Sequence, residues 1–351
     1  MKLNKLFLVA LVGSLFFASC SDNDDEATLP LGAYEKGFFV TNEGNGNSLG
    51  TVTFVSDNLT KVEQNVYGQV NNGDALGKYV QSIFFDGDKA YVIANGSSII
   101  TVVNRYTFKL LGKIQTGLLV PMYGVVKNGK AYVSNAANVT VNNDDFVAVV
   151  NLNTLTVEAT IPMNTVANKI IEENGKIYVS NGSYGNGSSV TVINPASNTI
   201  EKVIDLGESP NSFEEENGIL YVLCNSYSAP SKIVKISTAT NQIVSEIVFP
   251  TSLNLASNLN IEDGKIYYTV NSAAYVMNLT ATAPSTTPLF DYNSTSLYGA
   301  MYGFNVKGNR IYAVDAGDFE SDSKVHVYTT AGTLVGTVTV GVGPNSCYFN
   351  D

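Results

Sequence analysis

Short runs of alternating apolar and polar residues fill the chain from about residue 34 onwards. Runs such as "SVTVIN" and "IEKVIDL" are separated by Asn-Gly, Asp-Gly or Ser-Asn-Thr turn sequences. Alternation with a period of two predicts strands with one buried face, and Asn-Gly between two such runs predicts a tight hairpin. No part of this region shows sustained helical periodicity, so the pattern predicts an all-β protein.

One of these runs recurs with an aromatic residue at its centre. It appears as "DGDKAYVIAN", "NGKAYVSNA", "NGKIYVSNG", "NGILYVLCN", "DGKIYYTVN" and "KGNRIYAVD". The aligned aromatic residues are Phe39, Tyr91, Tyr132, Tyr178, Tyr221, Tyr267 and Tyr312. A repeat of roughly 40 to 50 residues is typical of propeller blades or solenoids. Each unit contains four short β-runs, so seven units predict a seven-bladed β-propeller with four-stranded antiparallel blades. A parallel β-helix is the alternative, but its turns are much shorter.

The two ends of the repeat region complement each other. The final "GPNSCYFND" matches "ESPNSFEEEN" and predicts an innermost strand without a continuation, whereas "GFFVTN" predicts a second strand that lacks its innermost neighbour. Together they would complete one blade from both termini. Closing the ring in this way removes free sheet edges.

The first residues have the pattern of an export signal. Lys2 and Lys5 precede the apolar run "LFLVALVGSLFF", which is too short for a permanent membrane span, so residues 1–19 are predicted to be a signal peptide. "FFASC" resembles a bacterial lipobox and makes Cys20 the predicted lipid anchor. The following "SDNDDE" resembles the surface-export signal of Bacteroidetes lipoproteins. We therefore expect an acidic, flexible tether at 20–33, a propeller at 34–351, and a lipid-anchored protein exposed on the outer membrane.

Charge and cysteine content exclude several functions. The chain has 20 basic and 31 acidic residues, a net charge of −11, so nucleic acid is not an expected partner. Cys224 and Cys347 lie in apolar strand patterns and are interpreted as core residues rather than a disulfide or a metal pair. His326, in "KVHVYTT", is interpreted as a structural histidine. No metal site and no cofactor are predicted.

Binding is expected on the face that carries the irregular loops. In a four-stranded blade, the loop after the "YV" strand and the loop that enters the innermost strand lie on the same face. The longer loops after "YV" strands are residues 42–50, 135–145, 181–189, 225–231 and 315–323. Irregular loops on a rigid scaffold are the usual place for binding residues.

Residues that occur in only one repeat are the preferred ligand contacts. The aromatic candidates are Tyr123, Tyr184, Tyr227, Tyr298, Tyr302 and Phe319, and the acidic candidates are Asp144 and Asp318. Loop carboxylates in general, which are Glu43, Asp144, Asp145, Asp318, Glu320 and Asp322, are interpreted as a solvated acidic rim, with calcium binding as the alternative.

Repeated asparagines are expected to be mainly structural. Those at the strand exits are Asn42, Asn95, Asn135, Asn181, Asn225 and Asn271, with Asp315 in the seventh unit. Asn and Asp bond to their own backbone and tolerate left-handed turns. A second set, Asn168, Asn211, Asn258 and Asn345, precedes innermost strands and should ring the channel mouth, where its members could also contact a ligand.

The strands "FFVTN", "AYVSN" and "IYVSN" resemble those of YVTN or surface-layer-type propellers over residues 34–351. Together with the lipobox and the acidic segment, they make the chain similar to the BtuG lipoproteins of Bacteroidetes. This resemblance implies a non-enzymatic protein that captures cobalamin or a related corrinoid on the loop face. It also implies a TonB-dependent outer-membrane transporter as the partner that receives the ligand.

Three other functions remain open. The same face could recognise glycans, although the absence of tryptophan weakens this hypothesis. It could also dock a protein, or it could carry a carboxylate-based lyase or hydrolase. A carboxylate pair in the central funnel would favour the enzyme, a large apolar patch would favour docking, and a polar cleft rimmed by tyrosines would favour small-molecule capture.

Overall fold

Seven four-stranded antiparallel sheets make up the described part of the chain. The structure is a computed structural model that describes residues 31–141, 143–183 and 185–350. The predicted signal peptide, Cys20, most of the tether and Tyr184 lie outside these residues. The seven sheets are the blades of a β-propeller, which confirms the fold class predicted from the repeat.

The strands follow the predicted order along the chain. The first four blades contain β1 Gly37–Asn42, β2 Thr51–Ser56, β3 Val62–Glu63, β4 Val80–Asp86, β5 Lys89–Ala94, β6 Ile99–Asn104, β7 Leu110–Ile114, β8 Pro121–Lys127, β9 Lys130–Asn135, β10 Phe146–Asn151, β11 Thr156–Pro162, β12 Ile170–Glu173, β13 Lys176–Ser183, β14 Asn186–Asn194 and β15 Thr199–Asp205. The remaining strands are β16 Ser209–Glu216, β17 Ile219–Asn225, β18 Lys232–Ser237, β19 Gln242–Val248, β20 Ser257–Glu262, β21 Lys265–Val270, β22 Ala273–Asn278, β23 Phe290–Asp291, β24 Gly303–Lys307, β25 Arg310–Asp315, β26 Asp322–Thr329, β27 Leu334–Val342 and β28 Pro344–Phe349.

Blade 1 is assembled from both ends of the described chain. Its strand order is β28-β1-β2-β3, and Val40 of β1 lies opposite Cys347 of β28. Blades 2 to 7 each use four consecutive strands, beginning at β4, β8, β12, β16, β20 and β24. Successive innermost strands contact one another around the ring except between blades 4 and 5, where β13 and β14 contact β16, and β28 contacts both β24 and β4. The predicted ring closure is therefore confirmed.

The repeated aromatic residue explains how neighbouring blades are held together. Each one lies on the second strand of its blade and packs in a cluster with apolar residues of the next blade. Tyr132 of blade 3, for example, packs with Ile177 and Val179 of blade 4, and Tyr178 of blade 4 packs with Val222 of blade 5. Seven such clusters fill the seven interfaces. Burial of large aromatic rings supplies much of the apolar stabilisation between sheets.

Two of these tyrosines also reach a turn of the following blade with their hydroxyl groups. The Tyr132 hydroxyl donates to the Asn198 side chain at 2.9 Å, and the Tyr178 hydroxyl donates to the Asn241 side chain at 2.7 Å. The Tyr91 hydroxyl is buried without a hydrogen-bond partner. The aromatic position therefore serves as a plug between blades, and for Tyr132 and Tyr178 a turn of the following blade also accepts from the hydroxyl.

Asn-Gly turns join the first and second strands of several blades, as predicted. Asn174 and Gly175 both have positive φ, at 49° and 75°, which is the conformation of a type I′ hairpin. In the part of the chain that the structure describes, helical structure is confined to α1, Val66–Val70, and two 3₁₀ turns, Asn95–Ser97 and Thr251–Leu253. Among the described residues, no helix is long and apolar enough to cross a membrane.

The two faces of the ring differ in their connections. The loop face carries the connections from second to third strands and from each fourth strand to the next blade; the turn face carries the tight hairpin turns. One loop prediction is wrong, because residues 181–189 largely continue β13 and β14 as a long hairpin. Gly182 allows this hairpin to approach β16, since a Cβ there would lie 2.2 Å from the Pro210 carbonyl oxygen.

Candidate functional site

A central cavity of about 490 Å³ opens on the loop face, and we call it the funnel. Its wall contains residues from all seven blades. Aromatic residues of the funnel are Tyr123, Phe213, Tyr227, Tyr302 and Phe304; amide residues are Gln81, Asn168, Asn211, Asn225, Asn258, Asn260, Asn305 and Asn345; charged residues are Glu43, Lys169 and Glu214. The volume lies within the usual range of about 300 to 1,000 Å³ for ligand pockets.

β-Bulges place many of the amide and aromatic residues in the funnel wall. In five blades the pairing between the first and second strands shifts near its loop-face end. The extra residues on the innermost strands are Gln81, Met122 with Tyr123, Asn211, Asn258 with Leu259, and Asn345. A bulge re-aims the side chain of the extra residue, and bulges are common next to functional sites. Apart from Asn168, the predicted channel-mouth residues therefore share one backbone cause.

The bulged asparagines also connect adjacent blades. The Asn211 side-chain oxygen accepts from the backbone N–H of Asn258 at 3.0 Å, and the Asn258 amide donates to the Met301 carbonyl at 2.8 Å. The Asn345 amide donates to the carbonyl of Gln81 at 3.0 Å. These bonds fix each innermost strand against the next one. Their main role is structural, as expected from the sequence, although three of the four residues lie within strands rather than before them.

Asn168 differs from the other three channel-mouth asparagines. Its amide donates to the Gly182 carbonyl at 2.9 Å, within its own blade. This bond ties the entry of β12 to the long β13–β14 hairpin. Asn168 therefore positions the hairpin that forms one side of the funnel.

A hydrogen-bonded cluster lies where blade 7 meets blade 1 at the funnel mouth. The Tyr302 hydroxyl donates to the Glu43 carboxylate at 3.2 Å, and the Asn345 amide donates to the same carboxylate at 3.0 Å. Burial raises the pKa of Glu43, while the two hydrogen bonds act in the opposite direction. The interpretation of Glu43 as part of a solvated rim is therefore wrong, because its carboxylate is held by side chains.

Deeper in the funnel, Lys169 and Glu214 are the other two charged residues. Burial raises the pKa of Glu214 to about 7, and the hydrogen bond from the Ile261 N–H, at 2.5 Å, opposes that shift. Burial lowers the pKa of Lys169, and the charge of Glu214 opposes that shift. Both side chains are partly exposed because they face the cavity, and protein surrounds them on their other sides. A carboxyl group that titrates near neutral pH in a cleft is a recognised mark of a functional site.

A second cavity of about 600 Å³ lies farther out on the loop face, beside blade 7. It is lined by Tyr298, Asp318 and Phe319 among others. The Asp318 carboxylate accepts from the N–H groups of Glu320 and Ser321, at 2.9 and 3.0 Å, so it stabilises its own turn. The Phe319 ring packs edge-to-face on the Tyr302 ring, with 5.0 Å between the ring centres. These three candidates belong to this outer cavity rather than to the funnel.

Two predicted contacts occupy very different environments. Tyr227 lines the funnel but is 88% exposed, so its ring is available to a ligand or a protein. Asp144 is exposed and lies outside the funnel lining. Its neighbour Asp145 is buried and accepts from the Ala167 N–H at 2.7 Å, so Asp145 is structural and is not part of a solvated rim.

The strand-exit asparagines are structural for a different reason from the one predicted. Of these six asparagines only Asn271, at φ 53°, has a left-handed conformation. Asn135 and Asn181 lie within strands and bond to the loops that enter innermost strands, through the Leu119 N–H at 2.9 Å and the Val166 carbonyl at 2.7 Å. The predicted structural role of these asparagines is therefore correct, but the predicted left-handed turn conformation is found only at Asn271.

A third cavity, of about 620 Å³, lies on the turn face. It is lined by Tyr106, Arg310, Phe349 and neighbouring turn residues, and Arg310 donates to the Asp57 carbonyl. It contains none of the predicted contacts. The funnel is the better candidate, because aromatic, amide and titratable groups from the whole ring converge there.

The two cysteines and the histidine of the described residues are structural. Cys224 and Cys347 are buried free thiols, and burial raises the pKa of Cys224 to about 12. The His326 Nδ1 atom lies 3.0 Å from the Thr337 hydroxyl, and the ring packs on Tyr292. No three His, Cys, Asp or Glu residues within the described ranges form a group that could hold a metal ion.

Sequence reasoning missed Gln81, Lys169 and Glu214 as funnel residues. Gln81 could have been found by aligning "YVQSIFF" with "SPNSFEE", since it occupies the position of Asn211. Lys169 immediately precedes the innermost strand β12 and Glu214 lies on the innermost strand β16, where polar residues look like ordinary solvent-facing positions. Only the closed ring shows that they face a shared cavity.

Comparison with solved structures agrees with the propeller fold. A quinonprotein alcohol dehydrogenase-like protein from Bacteroides thetaiotaomicron has a TM-score of 0.67 and 16% identity, over 91% of this chain and 79% of that one. A functionally unknown protein from Desulfotomaculum acetoxidans has a TM-score of 0.67 and 13% identity, over 90% and 99%. Hydrazine synthase from Kuenenia stuttgartiensis has a TM-score of 0.62 and 17% identity, over 80% and 97%. At these identities the likeness concerns the fold alone.

Sequence comparison places the chain in a family. A search among curated proteins found no match. The profile of a family described as a domain of unknown function, DUF5074, matches residues 36–345, which is nearly the whole propeller. The chain therefore belongs to the DUF5074 family, and it folds as a seven-bladed β-propeller with a polar funnel on its loop face.

Proposed function

We propose that the protein captures a small molecule in the funnel, and that this ligand is cobalamin or a related corrinoid. The observation that carries the proposal is the convergence of Tyr123 and Tyr302 with a ring of amide side chains on one cavity. A corrinoid is a broad, partly apolar disc fringed by amides. Tyrosine rings can cover its face, while asparagine and glutamine side chains both donate to and accept from its edge.

Rigidity of the funnel supports binding rather than turnover. The bonds between Asn211, Asn258 and Asn345 and the neighbouring strands hold the wall in place before a ligand arrives. Preorganised groups lose little conformational entropy on binding, which favours high affinity. A large disc would lie across the mouth and reach the exposed ring of Tyr227.

The second half of the proposal is delivery to a TonB-dependent outer-membrane transporter. Exposed apolar side chains on the loop face, including Tyr227, Leu297 and Tyr298, are 78 to 88% exposed and offer contacts to a protein. Exposed apolar surface next to a binding site commonly marks a protein interface. The anchor in this proposal is Cys20, followed by the acidic tether. Surface proteolysis of intact cells that express wild-type protein or Cys20→Ala tests this location, because a surface-anchored Cys20→Ala protein would contradict the lipid anchor.

Calorimetric titration of the purified chain with cyanocobalamin tests the capture. Removal of one tyrosine contact, by Tyr123→Ala or Tyr302→Ala, should weaken binding by about 1 to 3 kcal/mol, as for interface anchors in general. Tyr106→Ala on the turn face is the control and should leave the affinity unchanged. No binding at micromolar cyanocobalamin would overturn the proposal and favour glycan or protein recognition on the same face.

A carboxylate-based enzyme is the second candidate, because Glu43 and Glu214 both line the funnel. Glu214, with a pKa of about 7, could exchange a proton at neutral pH. Glu43 is less suited to this role, since Tyr302 and Asn345 already engage its carboxylate. Depolymerisation of a soluble polysaccharide by the wild type and not by Glu214→Gln would favour the enzyme.

A further inference from the structure

Lys169 is the one cationic side chain among the described residues that line the funnel. The ion pairs of the described residues engage six other lysines: Lys61, Lys113, Lys127, Lys130, Lys176 and Lys232. Within the described ranges, the Lys169 ammonium has neither an ion pair nor a side-chain hydrogen bond. It is thus a positive charge in the wall of a cavity with no protein partner of its own.

Neither of the two carboxylates in the funnel is a hydrogen-bond or ion-pair partner of Lys169. The Glu43 carboxylate accepts from Tyr302 and Asn345, and the Glu214 carboxylate accepts from the Ile261 N–H. Glu214 is near enough to influence Lys169 electrostatically, but the two do not form an ion pair. Each carboxylate therefore has donors of its own, and Lys169 has no acceptor.

A desolvated ammonium without a partner is costly, and burial lowers the pKa of Lys169 accordingly. An anionic ligand group beside it would supply the missing acceptor and charge. Charge-assisted hydrogen bonds of this kind are shorter and stronger than neutral ones. The two nearby carboxylates would at the same time repel a ligand with several negative charges.

We propose that Lys169 is the subsite for a single anionic group, a phosphodiester or a carboxylate, on the molecule that occupies the funnel. The inference rests on the proposed function in that it uses the same cavity, and it specifies the ligand chemistry further. Cyanocobalamin fits this class, because its nucleotide loop carries one phosphodiester. The asparagine and glutamine side chains of the funnel wall then contact the neutral part of the ligand, and Lys169 binds its anionic group.

The first experiment uses an anion alone and does not depend on corrinoids. The purified full chain, labelled with ¹³C at lysine side chains, is titrated with dimethyl phosphate, a phosphodiester monoanion. The Lys169 resonance, assigned by its loss in Lys169→Met, should shift saturably, whereas that of exposed Lys265 should not. An unmoved Lys169 resonance, or equal shifts at both lysines, would overturn the subsite.

The stability of the unliganded variant provides a folding control. Lys169→Met removes an unpartnered charge and keeps the length of the side chain, so its thermal midpoint should equal or exceed that of the wild type. Lys265→Met should leave both the midpoint and the anion binding unchanged. A lower midpoint for Lys169→Met would show that the ammonium stabilises the fold and would count against the anion subsite.

The second experiment compares cyanocobalamin with dicyanocobinamide, which lacks the nucleotide loop and its phosphodiester. Lys169→Met should weaken cyanocobalamin binding about 10- to 100-fold, the usual effect of losing a hydrogen bond to a charged group, and leave dicyanocobinamide nearly unaffected. If both ligands bind the wild type and the variant equally, the anion subsite is wrong and corrinoid capture stands. If neither binds the wild type, corrinoid capture is wrong, and the dimethyl phosphate titration decides the subsite alone.

Discussion

The Tyr302 hydroxyl donates to the Glu43 carboxylate at 3.2 Å, although the two residues are 259 positions apart in the chain. Tyr302 precedes β24 of blade 7, and Glu43 follows β1 of blade 1. Asn345 of β28 completes the cluster. The wall of the funnel at this point exists only because the ring closes, so the same contacts stabilise the fold and shape the candidate site.

Tyr302→Phe should destabilise the protein by about 1 to 2 kcal/mol at pH 8, because a hydrogen bond to a buried charged carboxylate is lost. Phenylalanine keeps the ring contact with Phe319. Since burial raises the pKa of Glu43, acidification protonates this carboxyl in the folded protein, and the cost of the substitution should shrink. Urea unfolding at pH 8 and pH 4.5 measures both values. Tyr298→Phe, at a 78% exposed position, is the control and should change stability by less than about 0.5 kcal/mol.

Tyr178→Phe and Tyr91→Phe form a matched pair, because both residues occupy the same position in different blades. The Tyr178 hydroxyl bonds to Asn241 at 2.7 Å, whereas the Tyr91 hydroxyl is buried without a partner. We expect Tyr178→Phe to cost about 1 kcal/mol and Tyr91→Phe to be neutral or stabilising. The urea midpoints of the two variants give the comparison. Equal destabilisation by both substitutions would contradict this account of the inter-blade plugs.

Deletion of residues 345–351 should yield an aggregating or strongly destabilised protein, since it exposes the inner edge of β1 and removes the β28 contacts with β24 and β4. Size-exclusion chromatography and thermal melting measure this effect. A circular permutant that is opened at the Asp263–Gly264 turn, with Asn350 linked to Leu31, retains every strand and is the matched control. It should remain folded and monomeric. A deletion variant that melts like the wild type would show that ring closure is dispensable.

Glu214 should make the protein less stable as the pH rises. Its pKa is raised from 4.5 to about 7 in the folded state, so between these values the folded protein holds a proton that the unfolded chain has released. The stabilisation is complete below pH 4.5 and is lost as the pH rises through 7. Glu214→Gln can still accept from the Ile261 N–H, and it should gain on the order of 3 kcal/mol relative to the wild type between pH 4.5 and pH 8.

Thermal melting of Glu214→Gln and wild type across this pH range is the measurement. If the Glu214→Gln difference were constant with pH, the pKa of Glu214 would not be raised, and Glu214 would no longer be a candidate functional residue.

Most of the fold could be predicted because its determinants are local and repeated. The aromatic position from Phe39 to Tyr312 marks the second strand of every blade, and Asn-Gly pairs such as Asn174–Gly175 mark the hairpins. Even the closure of blade 1 follows from two sequence fragments that match different parts of the repeat. The hairpin at residues 181–189 was the exception, because Gly, Asn and Ser are typical of loops and the strand pairing there depends on β16.

The site was harder to predict because its geometry is not local. Asn211, Asn258 and Asn345 were placed at the channel mouth from their repeat position, but the bulges that aim them depend on pairing with the second strands. The charged groups Lys169 and Glu214 come from blades 4 and 5 and share a cavity only in the closed ring. Whether the predicted aromatic residues contact a ligand stays a prediction, and Tyr184 lies outside the described residues.

The inter-blade bonds of the innermost strands have a consequence for how this scaffold can change over evolutionary time. In blades 1, 5 and 6 a bulged asparagine lies at the funnel mouth, and its side chain bonds to a backbone group of the neighbouring blade. The aperture is therefore set by the number of blades, and its lining is set residue by residue. Substitution at the exposed Tyr227 would alter one sector of the wall and leave the others in place. A family built in this way can diversify its ligands without redesigning its frame.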